Sequence, residues 1–185
     1  MWILILIIIL VLVVFSIGIY NSLVSLRMKV KNAWSQIEVQ LQRRFDLIPN
    51  FVETIKGYMS HERETLEKIV ELRSSWINST SFQDKAKIDG ELSNTLKTIM
   101  AISENYPELK ANQNFMQLSG ELRNTEDKIA YSRQFYNDAV TMYNTKVQVF
   151  PSNIIAGMFK FELAELFKTE NNEARQNVKF DFENK

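Results

Sequence analysis

The chain has 185 residues, with 22 basic against 22 acidic side chains, 45% apolar residues, five glycines, three prolines and no cysteine. Balanced charge excludes the broad positive field that recruits nucleic acid. The missing thiols exclude disulfides, thiolate metal ligands and a lipidated-cysteine anchor.

The opening residues, MWILILIIILVLVVFSIGIY, form an unbroken apolar run. At 1.5 Å per residue, residues 2–20 make a helix of about 28 Å, enough to cross a bilayer core. The competing reading is a cleaved secretory signal, with Ser16 and Gly18 as cleavage-site mimics. Such signals need a basic n-region and a shorter apolar core, which this run does not have. Arg27, Lys29 and Lys31 follow the run with no acid before Glu38. Basic residues flanking a span stay cytoplasmic, so the expected topology puts the N-terminus outside and the rest of the chain in the cytoplasm. The same cluster would meet anionic headgroups, each charge contributing roughly 1 kcal/mol.

Beyond the anchor (residues 1–21), apolar residues recur every three or four positions. The first series is Val30, Trp34, Ile37 and Leu41, continued by Ile48, Val52, Ile55, Met59, Leu66, Ile69 and Leu72. That is the mark of helices burying one face. Pro49 interrupts the series. Asp46 would cap a new helix there, which favours a break, although the apolar phase running through Pro49 fits a single kinked helix. Residues 74–81, SSWINSTS, read as a polar connector ending in a capping-box-like Ser81-x-x-Asp84. The following helix shows Ile88, Leu92, Leu96, Ile99 and Met100 on one face, and Asn105-Tyr106-Pro107 ends it.

The longest element spans residues 112–150 and stops at Phe150-Pro151-Ser152-Asn153. A short amphipathic helix carrying Ile154, Met158, Leu163 and Phe167 is expected next. A polar tail, residues 168–185, closes the chain, and the alternation of residues 178–182 suggests an extended segment docked on the body. Few glycines and prolines, long helices and short connectors together predict an all-α protein. A single transmembrane helix leads into an antiparallel up-and-down four-helix bundle over residues 22–167.

Two motifs carry possible chemistry. Tyr136-Asn137 recurs one heptad later as Tyr143-Asn144, and with Glu126 and Arg133 it draws a polar stripe along one helix. Asparagine on a bundle seam fixes register, and a bound polar ligand would use the same stripe. Arg43-Arg44-Phe45-Asp46 sets two guanidiniums at the Pro49 junction, suited either to a phosphate or to an internal ion-pair network with Asp46 or Glu126. Trp34 reads as a core anchor. His61, the only histidine, lacks the partner histidines of zinc-protease and di-iron helices, and the five glycines form no phosphate loop. No catalytic, cofactor or metal constellation is apparent.

The chain resembles the LemA family. The resemblance rests on Ala33-Trp34, Gln40-Leu41, Arg43-Arg44-x-Asp46-Leu47-Ile48-Pro49-Asn50, Lys56-Gly57 and His61-Glu62. It continues through Tyr106-Pro107-x-Leu109-Lys110-Ala111-Asn112, Thr125-Glu126, Arg133, Tyr136-Asn137, Tyr143-Asn144 and Phe150-Pro151-Ser152-Asn153-Ile154-Ile155-Ala156. Phe45 departs from the polar residue expected there. The resemblance implies a bacterial protein with one N-terminal span, a short outward tail and a bundle of bromodomain-like topology. A magnetosome-associated member implies a role in membrane organisation, and the family carries no established enzymatic activity.

The expectation is therefore a non-enzymatic scaffold or adaptor on the cytoplasmic side of the bacterial inner membrane. The bilayer binds residues 2–20, protein partners bind the bundle, and homo-oligomerisation stays open. The alternative is a ligand-sensing four-helix module on the outer side. The interaction surfaces expected are the Arg43-Arg44 junction and the aromatic residues Phe159, Phe161, Phe180 and Phe182.

Overall fold

The computed structural model describes residues 1–59 and 61–167, and these are helical apart from short connectors and a final extended segment. The helices are α1 (Trp2–Ile55), α2 (Arg63–Asn78), α3 (Phe82–Ser103), α4 (Pro107–Ala111), α5 (Gln113–Gln148) and α6 (Ser152–Met158). Residues 168–185, which include Phe180, Phe182 and the expected docked strand, lie outside the described residues.

α1 is one helix of 54 residues, about 80 Å long at helical rise. Its residues 2–15 are all exposed, and only 6% of its most apolar window is buried within the molecule. A core helix of a soluble domain would bury that surface, whereas no other element among the described residues covers this stretch of α1. The second half is the spine of the bundle. Ile37, Leu41, Phe45, Ile48, Phe51 and Ile55 follow one another at helical spacing and are no more than 1% exposed.

The expected break at Pro49 does not occur, because α1 runs straight through it. Proline removes the amide that would bond the carbonyl four residues back, that of Phe45. Arg73 of α2 takes its place, donating from Nε to the Phe45 carbonyl at 3.3 Å. Asp46 caps nothing and instead accepts from Gln42 Nε2 at 2.8 Å. The uninterrupted apolar phase is thus the stronger signal, since breaking the helix would remove Phe51 and Ile55 from the core.

α5 packs antiparallel along α1. Phe51 stacks on Phe115 near one end, Arg44 pairs with Glu126, Trp34 meets Tyr136, and Val147 joins Ile19 and Leu23 at the other end. α2 and α3 form a second pair joined by a connector shorter than expected. Residues 74–78 belong to α2, with Trp76 buried on Phe45 at a ring separation of 4.7 Å. Ser81 caps α3 by accepting from the Asp84 amide at 3.4 Å, and Asn112 caps α5 by accepting from the Phe115 amide at 3.1 Å.

The last helix is also shorter than expected. α6 ends at Met158 and buries Ser152, Ile155 and Ala156 rather than Ile154 and Met158. Leu163 and Phe167 lie instead on an extended strap, residues 161–167, that returns along α5. The turn into the strap is a helix C-cap with Lys160 in the left-handed region (φ 54°) and the Phe161 amide bonded to the Ala156 carbonyl at 2.9 Å.

Candidate functional site

The polar residues singled out in the sequence converge on one column of α5. At its centre lies a buried charge cluster. Arg44 of α1, 2% exposed, bonds Asp89 and Ser93 of α3, both at 2.9 Å, and pairs with Glu126 of α5 at 2.7 Å. Arg133, one turn-pair further along α5, bonds the other oxygen of Asp89. Asp89 is fully buried, so its carboxylate is neutralised by two guanidiniums on different helices. With Glu126 the four charges cancel, which is the condition for holding ions in a low-dielectric interior. Burial lowers the Arg44 guanidinium below its ordinary value while Glu126 pulls it back up. Burial also brings Arg133 down to about 10, helped by repulsion from Arg44.

The strap covers this cluster. Arg133 stands 4.6 Å from the ring centre of Phe167, which is 5% exposed. The repeated Tyr-Asn pairs hold the strap's backbone. Asn144 donates to the Ala164 carbonyl at 2.8 Å and accepts from the Ala164 amide at 2.9 Å. Asn137 does the same with Phe167, at 3.1 and 2.8 Å. The hydroxyls of Tyr136 and Tyr143 donate to the carbonyls of Glu165 and Glu162 at 2.9 and 2.8 Å.

The heptad spacing has a metric cause. Seven helical residues rise about 10.5 Å, and three extended residues span about 10 Å, so amides one heptad apart meet backbone units three residues apart. The asparagines thus bind an extended peptide instead of setting register against another helix. Burial, and then Glu165, raise the Tyr136 hydroxyl above its usual value, so it stays a donor.

The remaining singled-out residues divide between core and surface. Trp34 packs on Phe82 at 4.6 Å between ring centres and also meets Tyr136 and Phe167. Arg43, Asp46, Pro49 and Asn50 are exposed along α1, away from the cluster, so the paired arginines face opposite ways and form no joint anion site. Pro151 precedes α6 as its N-cap residue. Phe45 is a core ring, which explains an apolar residue at that position.

Asp89 and Ser93 are absent from the sequence reading. The available signal was phase: Asp89 stands three residues before Leu92 and seven before Leu96, on the apolar face of α3. A carboxylate in that phase demands a buried cation.

Comparison with known proteins agrees with these features. The chain is 28% identical over 141 residues to Protein LemA of Metamycoplasma hominis, covering 76% of this chain and 64% of that protein. It is 24% identical over 175 residues to a magnetosome protein MamQ of Paramagnetospirillum magneticum. Over 174 residues it is also 24% identical to MamQ of Magnetospirillum gryphiswaldense. Both of these matches cover 80% of this chain and 64% of the relative, so the chain matches somewhat less than two thirds of each relative's length. Together with the exposed apolar start of α1, the magnetosome-protein matches support a membrane-associated helical protein. The LemA family model matches residues 33–182, which take in the Arg44 cluster, both Tyr-Asn pairs and the strap, and the chain belongs to the LemA family.

Proposed function

We propose that this chain is a single-pass, membrane-anchored helical scaffold of the bacterial inner membrane, with its N-terminus outside and its bundle presenting a docking face to protein partners in the cytoplasm. It works by binding rather than by catalysis. The observation that carries the docking role is a stripe along α5 that ends at its C-cap residue, Val149. Tyr131, Phe135, Met142 and Val149 are 74%, 55%, 59% and 44% exposed. Their spacings bring them round to one face of the helix, and a bundle helix leaves such a face apolar when another helix is to cover it. The exposed apolar start of α1 supports the anchor, and anchoring raises the effective concentration of any membrane-bound partner. Arg27, Lys29 and Lys31 just after the apolar run support the inward orientation.

The test is a photo-crosslinking residue at Tyr131 or Phe135, activated in intact cells. The expected result is a discrete protein adduct, lost when Met142→Asp is added and unaffected by Arg43→Gln on the opposite helix. No adduct, or one indifferent to Met142→Asp while far-UV circular dichroism stays unchanged, would overturn the docking role.

A further inference from the structure

We infer that residues 150–159, the α6 end of the bundle, form a second membrane contact that lies in the interfacial layer of the leaflet from which α1 emerges. This deepens the anchoring reading and rests on it. α6 is held against α1 where the apolar run ends: Ile155 and Ala156 pack with Ile19 and Leu23 in a small buried cluster separate from the main core. That contact fixes the height of α6 relative to the span.

What α6 turns away from α1 is apolar too. Phe150, Ile154, Met158 and Phe159 are 79%, 55%, 68% and 55% exposed. A seven-residue helix with apolar surface both inward and outward has no reason to face bulk water. The patch is continuous with the span. The Phe159 ring lies 4.7 Å from that of Tyr20, and Phe159 closes one side of an open notch of about 370 Å³ whose other wall is α1 from Ile9 to Tyr20. Apart from the hydroxyls of Ser16 and Tyr20 the notch is lined by apolar side chains, so an acyl chain is the chemistry that suits it.

The flanks match a lipid surface as well. Aromatic rings of Tyr20, Phe159 and Phe161 cluster at the level where aromatic belts form. Lys160 follows Phe159 in a left-handed turn that glycine would adopt more easily, which places a basic residue beside the apolar rim. Arg27, Lys29 and Lys31 lie two to three helical turns further along α1, about 10 to 16 Å beyond Tyr20, where the negative surface potential of an anionic leaflet still acts on them. A short apolar element under a basic rim is the composition of an interfacial contact.

The absence of cysteine makes a direct test simple. Single-cysteine variants of the full chain, Ile154→Cys, Met158→Cys, Leu10→Cys and Gln117→Cys, are spin-labelled and reconstituted in vesicles of phosphatidylethanolamine and phosphatidylglycerol. Collision with oxygen, which partitions into lipid, is compared with collision with a water-soluble nickel chelate. The expected result is an oxygen-to-nickel ratio at 154 and 158 severalfold above that at 117, with 10 higher still.

Ratios at 154 and 158 equal to that at 117, with 10 still lipid-exposed, would overturn the interfacial contact and leave the anchor standing. Low collision with both probes at 154 and 158 would mean that protein covers the patch, and would overturn it too. An aqueous ratio at 10 would overturn the anchor and this inference together.

Discussion

Replacing Asp89 with asparagine tests whether the buried cluster is a structural keystone of the bundle. The substitution preserves shape and removes one negative charge from a site holding Arg44 at 2% and Arg133 at 15% exposure. Glu126, at 36% exposure, is then the only acid of the cluster facing two guanidiniums. Breaking a buried pair by removing one partner costs about 3–5 kcal/mol, because the remaining charge is left uncompensated. For a chain of this size each kcal/mol moves the midpoint by about 2–4 °C, so a fall on the order of 10 °C is expected.

Thermal melting followed by circular dichroism in detergent micelles reads this directly. A second variant separates charge from packing. Asp89→Leu combined with Arg44→Met removes an opposite pair together and should be less damaging than Asp89→Leu alone. A stability for Asp89→Asn within about 0.5 kcal/mol of the native chain, a midpoint change of about 1–2 °C and the range of ordinary surface substitutions, would refute the keystone role.

Asn137→Ala and Asn144→Ala should each cost about 1–3 kcal/mol by leaving strap backbone groups unpaired, and hydrogen exchange should quicken at Phe167 and Ala164 respectively; unchanged exchange would refute the clasp. Pro49→Ala should restore an amide donor to the Phe45 carbonyl and so shrink the loss caused by Arg73→Met, which is about 1 kcal/mol in the native chain; a loss equal in both backgrounds would contradict the substitution of Arg73 for the missing amide. Phe45→Ala should cost about 3–5 kcal/mol through lost burial on Trp76, measured by denaturant unfolding. Tyr136 holds its proton more tightly folded than unfolded, so its contribution is whole below the ordinary tyrosine value of about 10 and declines as pH climbs through the raised folded value. The stability gap between the native chain and Tyr136→Phe should therefore narrow in that alkaline window, and a gap independent of pH would refute it.

Helix content was legible because apolar spacing of three and four needs no tertiary information: Ile37, Leu41 and Leu96 declare their face by phase alone. The length of α1 was harder, since proline lowers helix propensity locally while its cost is met by Arg73, a residue 28 positions from the carbonyl it serves. The same limit applies to Asp89. Its partner Arg44 is 45 residues away, and only the fold brings the two together. The Tyr-Asn repeat was visible as a repeat, but what it binds was not. A heptad is equally the period of helix seams and of an extended chain laid along a helix, and period cannot separate them. The spacing of Leu163 and Phe167 fits a helix, whereas the turn at Lys160 ends α6 first.

The proposed anchoring of the bundle on the cytoplasmic side is tested most directly by the accessibility of one bundle position. Gln117 is exposed near the start of α5, at the end of the bundle away from the apolar run, and Gln117→Cys would be the chain's only cysteine. Treated with a membrane-impermeant maleimide, intact cells should leave it unlabelled, permeabilised cells should label it, and the protein should stay with the inner membrane through an alkaline carbonate wash. Labelling in intact cells would put the bundle outside, as a sensing module requires, and release by carbonate would contradict the anchor itself.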